Sequence, residues 1–229
     1  MKQFSGKGEQ AWFDGREFAG MCRIALPSIL QQSTVSIGMM LVQSVVNGFG
    51  AQMLAGYSAG MRIESICIVP MAAMGNVMSS YTAQNLGAGR EDRVVKGYRT
   101  GYGLVFGFGL LLCVILELFY RPLIVMFLGE EGTALTVDTG ISYMRFIGFF
   151  FTIIGLKMIT DGLLRGAGDM KMFTVANLVN LCLRVIVAVT MAPRFGIAFV
   201  WYAVPLGWLA NYVISYLEYR TGKWRYSKK

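Results

Sequence analysis

The sequence predicts an all-α polytopic membrane protein, a bundle of six transmembrane helices. Three observations carry this. Only 15% of the 229 residues are charged and 55% are hydrophobic, with mean hydropathy +0.53, whereas soluble domains carry about 25% charge. Several apolar runs approach or exceed the ~20 residues that cross a bilayer core. The basic residues fall between these runs in short clusters that recur at every second loop. A single soluble domain could not hide apolar stretches on this scale.

The elements follow in order. Residues 1–23 form a polar, mixed lead-in, expected on the cytoplasmic side, with Trp12, Phe13 and Phe18 as its aromatic content. It does not resemble a cleavable signal peptide, so the first span is expected to target the chain. The transmembrane lobe covers 24–217. Span 1 runs over about 24–49, and span 2 over about 52–83 with Pro70 inside it, where a kink is expected. A polar loop is expected over 85–96. Span 3 covers about 101–119, with Pro122 just beyond. An acidic loop over 129–138 leads to span 4, about 140–158. A third loop is expected over 161–171. Span 5 covers about 172–191, ended by Pro193, and span 6 about 197–217. Residues 218–229 are a basic cytoplasmic tail.

Six spans put both termini on one side. Fifteen of the 21 Lys and Arg then lie there, two (Arg121 and Arg194) lie opposite, and four (Arg62, Arg145, Lys157 and Arg184) fall within spans. That bias predicts both termini in the cytoplasm of a multi-pass plasma-membrane protein. The net charge of +8 is therefore an orientation signal and not a nucleic-acid patch. The chain has no His, and its four Cys (Cys22, Cys67, Cys113 and Cys182) are isolated, so neither a metal site nor a redox site is expected. Neither a phosphate-binding loop nor a dinucleotide fingerprint is present. No catalytic residue, enzyme activity or cofactor is expected, and a transporter of this composition would draw on an ion gradient.

Polar residues inside spans cost free energy, so their spacing is informative. Gln32, Ser36, Gln43 and Asn47 of span 1 fall within roughly 60° of one another on a helix. Asn177, Asn180 and Arg184 of span 5 share a face, as do Ser58, Arg62 and Ser65 of span 2, with Asn76 returning to it. Such stripes either line an aqueous cavity or hold the bundle together by interhelical hydrogen bonds. We expect the cavity. Glu64 is the candidate ion-coupling carboxylate; the alternative is a structural pair with Arg145 or Arg184. Glu117 is expected at the interface and Asp161 as a loop anchor. Gly56 with Gly60, Gly97 with Gly101, and Gly103 with Gly107 have the spacing of close helix packing.

Three segments carry a resemblance. They are Pro27-Ser28-Ile29-Leu30-Gln31-Gln32, then Gln84-Asn85-Leu86-Gly87-Ala88-Gly89-Arg90, then Asp161-Gly162-Leu163-Leu164-Arg165-Gly166-Ala167-Gly168-Asp169. In this order and spacing the chain resembles the multidrug and toxic compound extrusion (MATE) family, from about Arg16 to Tyr219. The resemblance implies one lobe, the C-terminal one, of a twelve-helix antiporter. That family exports small organic cations and other amphipathic compounds by alternating access, in exchange for sodium ions or protons. It implies a second six-helix lobe as partner, either another copy or a missing N-terminal half, besides membrane lipid. It also implies a substrate cavity between lobes, and gating or structural roles for Gln84, Asn85, Gly87, Arg165, Gly166 and Asp169. The chain departs from the family in having no acid on span 1 and none on span 4 before Asp161. Two other readings remain open: a lipid-linked sugar flippase, to which Arg62, Arg145 and Arg184 would suit, or a half that only assembles with partners.

Overall fold

The computed structural model describes residues 15–129 and 132–226. Among these it contains seven α-helices, a short 3-10 helix and no strand: α1 (Gly15–Asn47), α2 (Ala51–Gly87), α3 (Glu91–Leu128), α4 (Ala134–Gly148), α5 (Phe151–Ala167), α6 (Met170–Phe195), α7 (Ala198–Thr221) and the 3-10 helix Lys223–Tyr226. The expected features of residues 1–14, including Trp12 and Phe13, lie outside the described residues. So do Lys228 and Lys229 of the tail and the side chain of Gln32.

By length and composition α2, α3, α6 and α7 can each cross a membrane, and α4 with α5, bent by 55° at their junction, can count as a fifth span. Of the 33-residue α1 only Ser33–Asn47 is an apolar stretch, too short to pass the same test, so the six expected spans correspond to these four helices, the bent pair and α1. The chain divides into two compact units, 1–37 and 38–229. The first contains the start of α1; the second contains its end and all other helices.

Lipid supplies no hydrophobic drive between helices, so close van der Waals contact must hold them. Glycines provide it between α2 and the broken span. A Cβ on Gly56 would sit 2.2 Å from the Thr136 carbonyl oxygen of α4. On α5, a Cβ on Gly162 or Gly166 would sit 2.2 Å from the carbonyl of Gly75 or Ser79. Of the glycine pairs singled out in the sequence, Gly56 and Gly60 pack in this way. Gly103 and Gly107 meet nothing within 4 Å.

Several boundaries differ from the expectation. The helices begin earlier and end later: α1 starts at Gly15, inside the expected lead-in, α3 runs through Pro122, and α6 runs through Pro193. A proline in a membrane helix loses one donor but need not stop the helix. The expected loop 85–96 shrinks to the turn Ala88–Arg90, and the loop 161–171 to Gly168 and Asp169. Polar residues outside the bilayer do not break a helix; a left-handed glycine does. The two turns are built alike. Arg90 N–H donates to Asn85 O (2.8 Å) and Asp169 N–H to Leu164 O (2.9 Å), around Gly89 at φ 69° and Gly168 at φ 83°. The shared Gly-Ala-Gly of the two motifs is thus a helix stop. Gly87 and Gly166 themselves are helical, so they do not sit in loops. Span 4 is broken at Phe149 and Phe150, after Gly148, where the absence of a side chain lowers helix propensity.

Candidate functional site

The site begins with α2. Tyr57 and Glu64 are seven residues apart and share the face turned to α4. Both are buried, at 1% and 7% exposure, although they lie in a span. Gly60, between them, makes room: a Cβ there would come within 2.4 Å of the Tyr143 ring. The fully buried Tyr143 of α4 enters that gap, and its hydroxyl donates to Glu64 Oε2. Its ring meets Tyr57 edge-on at 5.1 Å and Trp201 of α7 at 6.1 Å. Arg184 of α6 completes the cluster. Its charge acts on Glu64, Tyr57 and Tyr143, and its buried Nε has no hydrogen-bond partner. Of the two arginines considered for Glu64, Arg184 is therefore the neighbour. Arg145 is held elsewhere, donating to Glu117 Oε1 through Nη2 (2.7 Å) and Nε (3.0 Å) at an exposed position.

A second ionisable cluster lies farther along α5, α6 and α7. Lys157 Nζ donates to Asp161 Oδ2 (2.9 Å) one turn along α5, with both side chains almost fully buried. Ser215 Oγ donates to Asp161 Oδ1 (2.7 Å) from α7. Asn177 of α6 accepts from Lys157 Nζ (3.3 Å) and donates to Asp161 Oδ2 (3.4 Å). Asp161 is thus the centre of a four-residue network within the lobe and not a loop anchor. Asn180 and Arg184 continue the α6 face across Gly207 of α7, where a Cβ would meet Asn180 Oδ1 at 2.2 Å and Arg184 Cγ at 2.9 Å. The stripe of Asn177, Asn180 and Arg184 therefore packs against α5 and α7, inside this lobe.

A third set is open. Gln43 and Asn47 of α1 are exposed, while Val42 and Val46 on the opposite face are buried. With Met40, Ser44 and Leu54 they line a shallow recess of about 270 Å³. Ser36 is exposed in the first unit. On α2, Arg62, Ser65, Asn76, Ser80 and Gln84 are exposed too. Asn76, Val77, Ser80, Tyr81 and Gln84 line a recess of about 380 Å³. Arg165 bridges to this face, donating from Nη2 to Asn76 Oδ1 (2.8 Å). Asn85 is instead buried and donates to Tyr81 O (2.8 Å), and Asp169 caps α6 by accepting from Met172 N–H (3.3 Å). Those two motif residues shape the helix ends.

The sequence reading passed over Tyr57, Tyr143 and Lys157. Lys157 and Asp161 carried a signal, a K-x-x-x-D spacing of opposite charges one helical turn apart in an apolar run. Tyr57 and Tyr143 carried none, because a tyrosine in a span reads equally well as an interface residue.

Comparison with known proteins now fixes the family. The MatE family model matches residues 27–190. The chain belongs to the MatE family. Among curated MatE-type relatives, the probable multidrug resistance protein YpnP of Bacillus subtilis (strain 168) is 30% identical over 213 residues. That match covers 93% of this chain and 47% of YpnP. The probable multidrug resistance protein NorM of Thermotoga maritima is 22% identical, over 88% of this chain and 44% of its own. The chain thus spans about half the length of the curated relatives it matches. The fold agrees with that of a MOP superfamily transporter from Pyrococcus furiosus, at TM-score 0.84 and 21% identity over 95% of this chain and 49% of that one. A Vibrio cholerae MATE transporter, VcmN, superposes at TM-score 0.83 and 17% identity, over 95% and 49%. This MatE chain is one six-helix lobe of that architecture.

Proposed function

We propose that the chain is the C-terminal lobe of a cation-coupled antiporter that exports small organic cations by alternating access, and that Glu64 is its coupling carboxylate. The observation that carries this reading is Glu64 itself. It is a buried carboxylate within a span, held by Tyr143 so that it joins α2 to α4, with Arg184 of α6 as an electrostatic neighbour. Protonating Glu64 turns the charge-assisted hydrogen bond from Tyr143 into a neutral one and removes a negative charge from the neighbourhood of Arg184. Charge-assisted hydrogen bonds are about twice as strong as neutral ones, so proton uptake favours a rearranged packing of α2 against α4. A proton suits the cluster better than sodium, because the Arg184 charge repels a second cation and the carboxylate can neutralise by protonation. The exposed amides and hydroxyls of α1 and α2 form the wall presented to substrate and to a second lobe, as in transporters whose sites lie between repeats.

The test is efflux of a cationic dye from vesicles that contain this chain with a six-helix first lobe. An imposed pH gradient should drive efflux, and Glu64→Gln should abolish it while membrane insertion is unchanged. Efflux that persists in Glu64→Gln at wild-type rate removes Glu64 from coupling. Efflux driven by sodium and not by pH overturns the choice of ion.

A further inference from the structure

A separate feature lies between α3 and α7. Tyr98, Arg99 and Tyr102 of α3 face Tyr216, Tyr219 and Arg220 of α7 around a recess of about 460 Å³. The two helices meet there through side chains. The Tyr98 and Tyr219 rings lie 4.3 Å apart, and the Tyr102 and Tyr212 hydroxyls share a hydrogen bond of 3.0 Å. The floor is α5, where Tyr98 bonds Thr160 at 2.9 Å. The chain's last turn closes one end. Trp224 stacks on Tyr219 at 6.0 Å and donates from Nε1 to Tyr219 O at 3.0 Å.

Two properties define what this recess can hold. Arg99 and Arg220 are both exposed, and neither has a carboxylate partner among the described residues. Nearby Arg225 is occupied by Glu91, at 3.7 Å. Two free guanidinium groups with tyrosine hydroxyls between them suit a phosphate diester, which arginine binds through paired N–H groups. The second property lies one to two turns deeper. Phe106 of α3 continues the face of Arg99 and Tyr102, and Leu209 and Val213 of α7 continue the face of Tyr216 and Arg220. All three are exposed large apolar residues. A polar, cationic recess whose helix faces continue into exposed apolar residues matches an amphiphile with an anionic head and acyl tails. A free phosphate would use only the upper half. Basic residues also predominate at this end of the second unit, in the α2/α3 turn and the end of α7, which the charge bias places at the inner leaflet.

We propose that the α3/α7 recess is a binding site for one anionic phospholipid, its phosphate held by Arg99 and Arg220 and its chains lying along Phe106, Leu209 and Val213. The site is distinct from the Glu64 cluster and its occupancy does not depend on transport.

The experiment is native mass spectrometry of the purified chain in detergent, titrated with phosphatidylglycerol, phosphatidylcholine or inorganic phosphate. Wild type should retain one phosphatidylglycerol in preference to phosphatidylcholine. Arg99→Gln with Arg220→Gln should weaken that adduct by roughly thirtyfold, from roughly fivefold for each basic residue at an anionic headgroup. A control with the same charge loss, Arg93→Gln with Lys96→Gln, should leave it in place. Far-ultraviolet circular dichroism confirms that both pairs fold, and Arg99→Lys with Arg220→Lys replaces them if the glutamine pair does not. Lysine keeps the charge and loses the fork, so partial retention is then expected. No preference for phosphatidylglycerol in wild type overturns the proposal, as does equal loss in the two glutamine pairs. Displacement of the lipid by millimolar inorganic phosphate would show a simple anion site and overturn the lipid assignment.

Discussion

Lys157 and Asp161 invite the most direct test of how this lobe is held together. Both side chains are almost wholly buried, 2.9 Å apart, in a span that offers no water to either. Replacing Lys157 by Met leaves the Asp161 carboxylate with Ser215 Oγ at 2.7 Å and Asn177 Nδ2 at 3.4 Å, and no cation. Replacing Asp161 by Asn leaves the ammonium with neutral amide oxygens, that of Asn177 at 3.3 Å and that of the new side chain, and no anion. Removing one partner of a buried pair typically costs about 3–5 kcal/mol, because the other charge stays buried. The remaining hydrogen bonds put each single substitution near the lower end, at about 3 kcal/mol. The double variant buries no charge and should cost about 2 kcal/mol, mostly lost packing and weakened hydrogen bonds. The coupling energy is then about 4 kcal/mol, well above the ~0.6 kcal/mol typical of hydrogen bonds between membrane helices. The assay is reversible unfolding in mixed micelles, followed by fluorescence of the buried Trp201, Trp208 and Trp224. A coupling energy below about 1 kcal/mol would show that the pair is hydrated or optional, and would refute its place as the centre of the α5, α6 and α7 interface.

Other substitutions test the packing and the turns. Gly162→Ala and Gly166→Ala each force a Cβ to 2.2 Å from an α2 carbonyl, and each should destabilise by about 2 kcal/mol in the same unfolding assay. Gly103→Ala and Gly107→Ala meet nothing within 4 Å and should stabilise by about 0.5–1 kcal/mol through helix propensity alone. Asp169→Ala removes the acceptor for Met172 N–H and should cost about 1 kcal/mol, with local loss of amide protection at the start of α6.

The apolar runs made the helical membrane bundle legible, because bilayer thickness leaves a one-dimensional record in sequence. Helix ends were not legible in the same way. The segments 85–96 and 161–171 read as loops because they are polar, yet polarity marks only the exit from lipid. The helix end is marked by Gly89 and Gly168, four residues after Asn85 and Leu164. The break at Phe149 and Phe150 left no signal beyond Gly148. Glu64 could be singled out as an acid in an apolar run. Its partners could not, since Tyr143 lies 79 residues away and reaches Glu64 only because Gly60 lacks a side chain. The α6 stripe was legible as a stripe. Which way it faced depended on Gly207, a small residue on another helix whose role no period in α6 could encode.

The four cations within the spans sort by environment, and the sorting bears on how the lobe is used. Lys157 has Asp161, Arg145 has Glu117, and Arg184 has Glu64 as an electrostatic neighbour. Arg62 differs. It is exposed on α2, and no carboxylate pairs with it among the described residues. A charge at membrane depth is tolerated where it meets a partner or a wet cavity, and is costly against lipid. The same face carries Ser65, which donates to Met61 O (2.8 Å), Asn76, which accepts from Arg165, and the exposed Ser80 and Gln84. The outward side of α3, by contrast, presents Leu104, Phe106, Leu110, Leu111 and Val114. The exposed face of α2 is therefore mixed, with Ile66 and Val69 beside Arg62 and Ser65, whereas the outer side of α3 is apolar at these positions. That difference accords with the second lobe proposed above, with Arg62 on the face of α2 that such a lobe would cover.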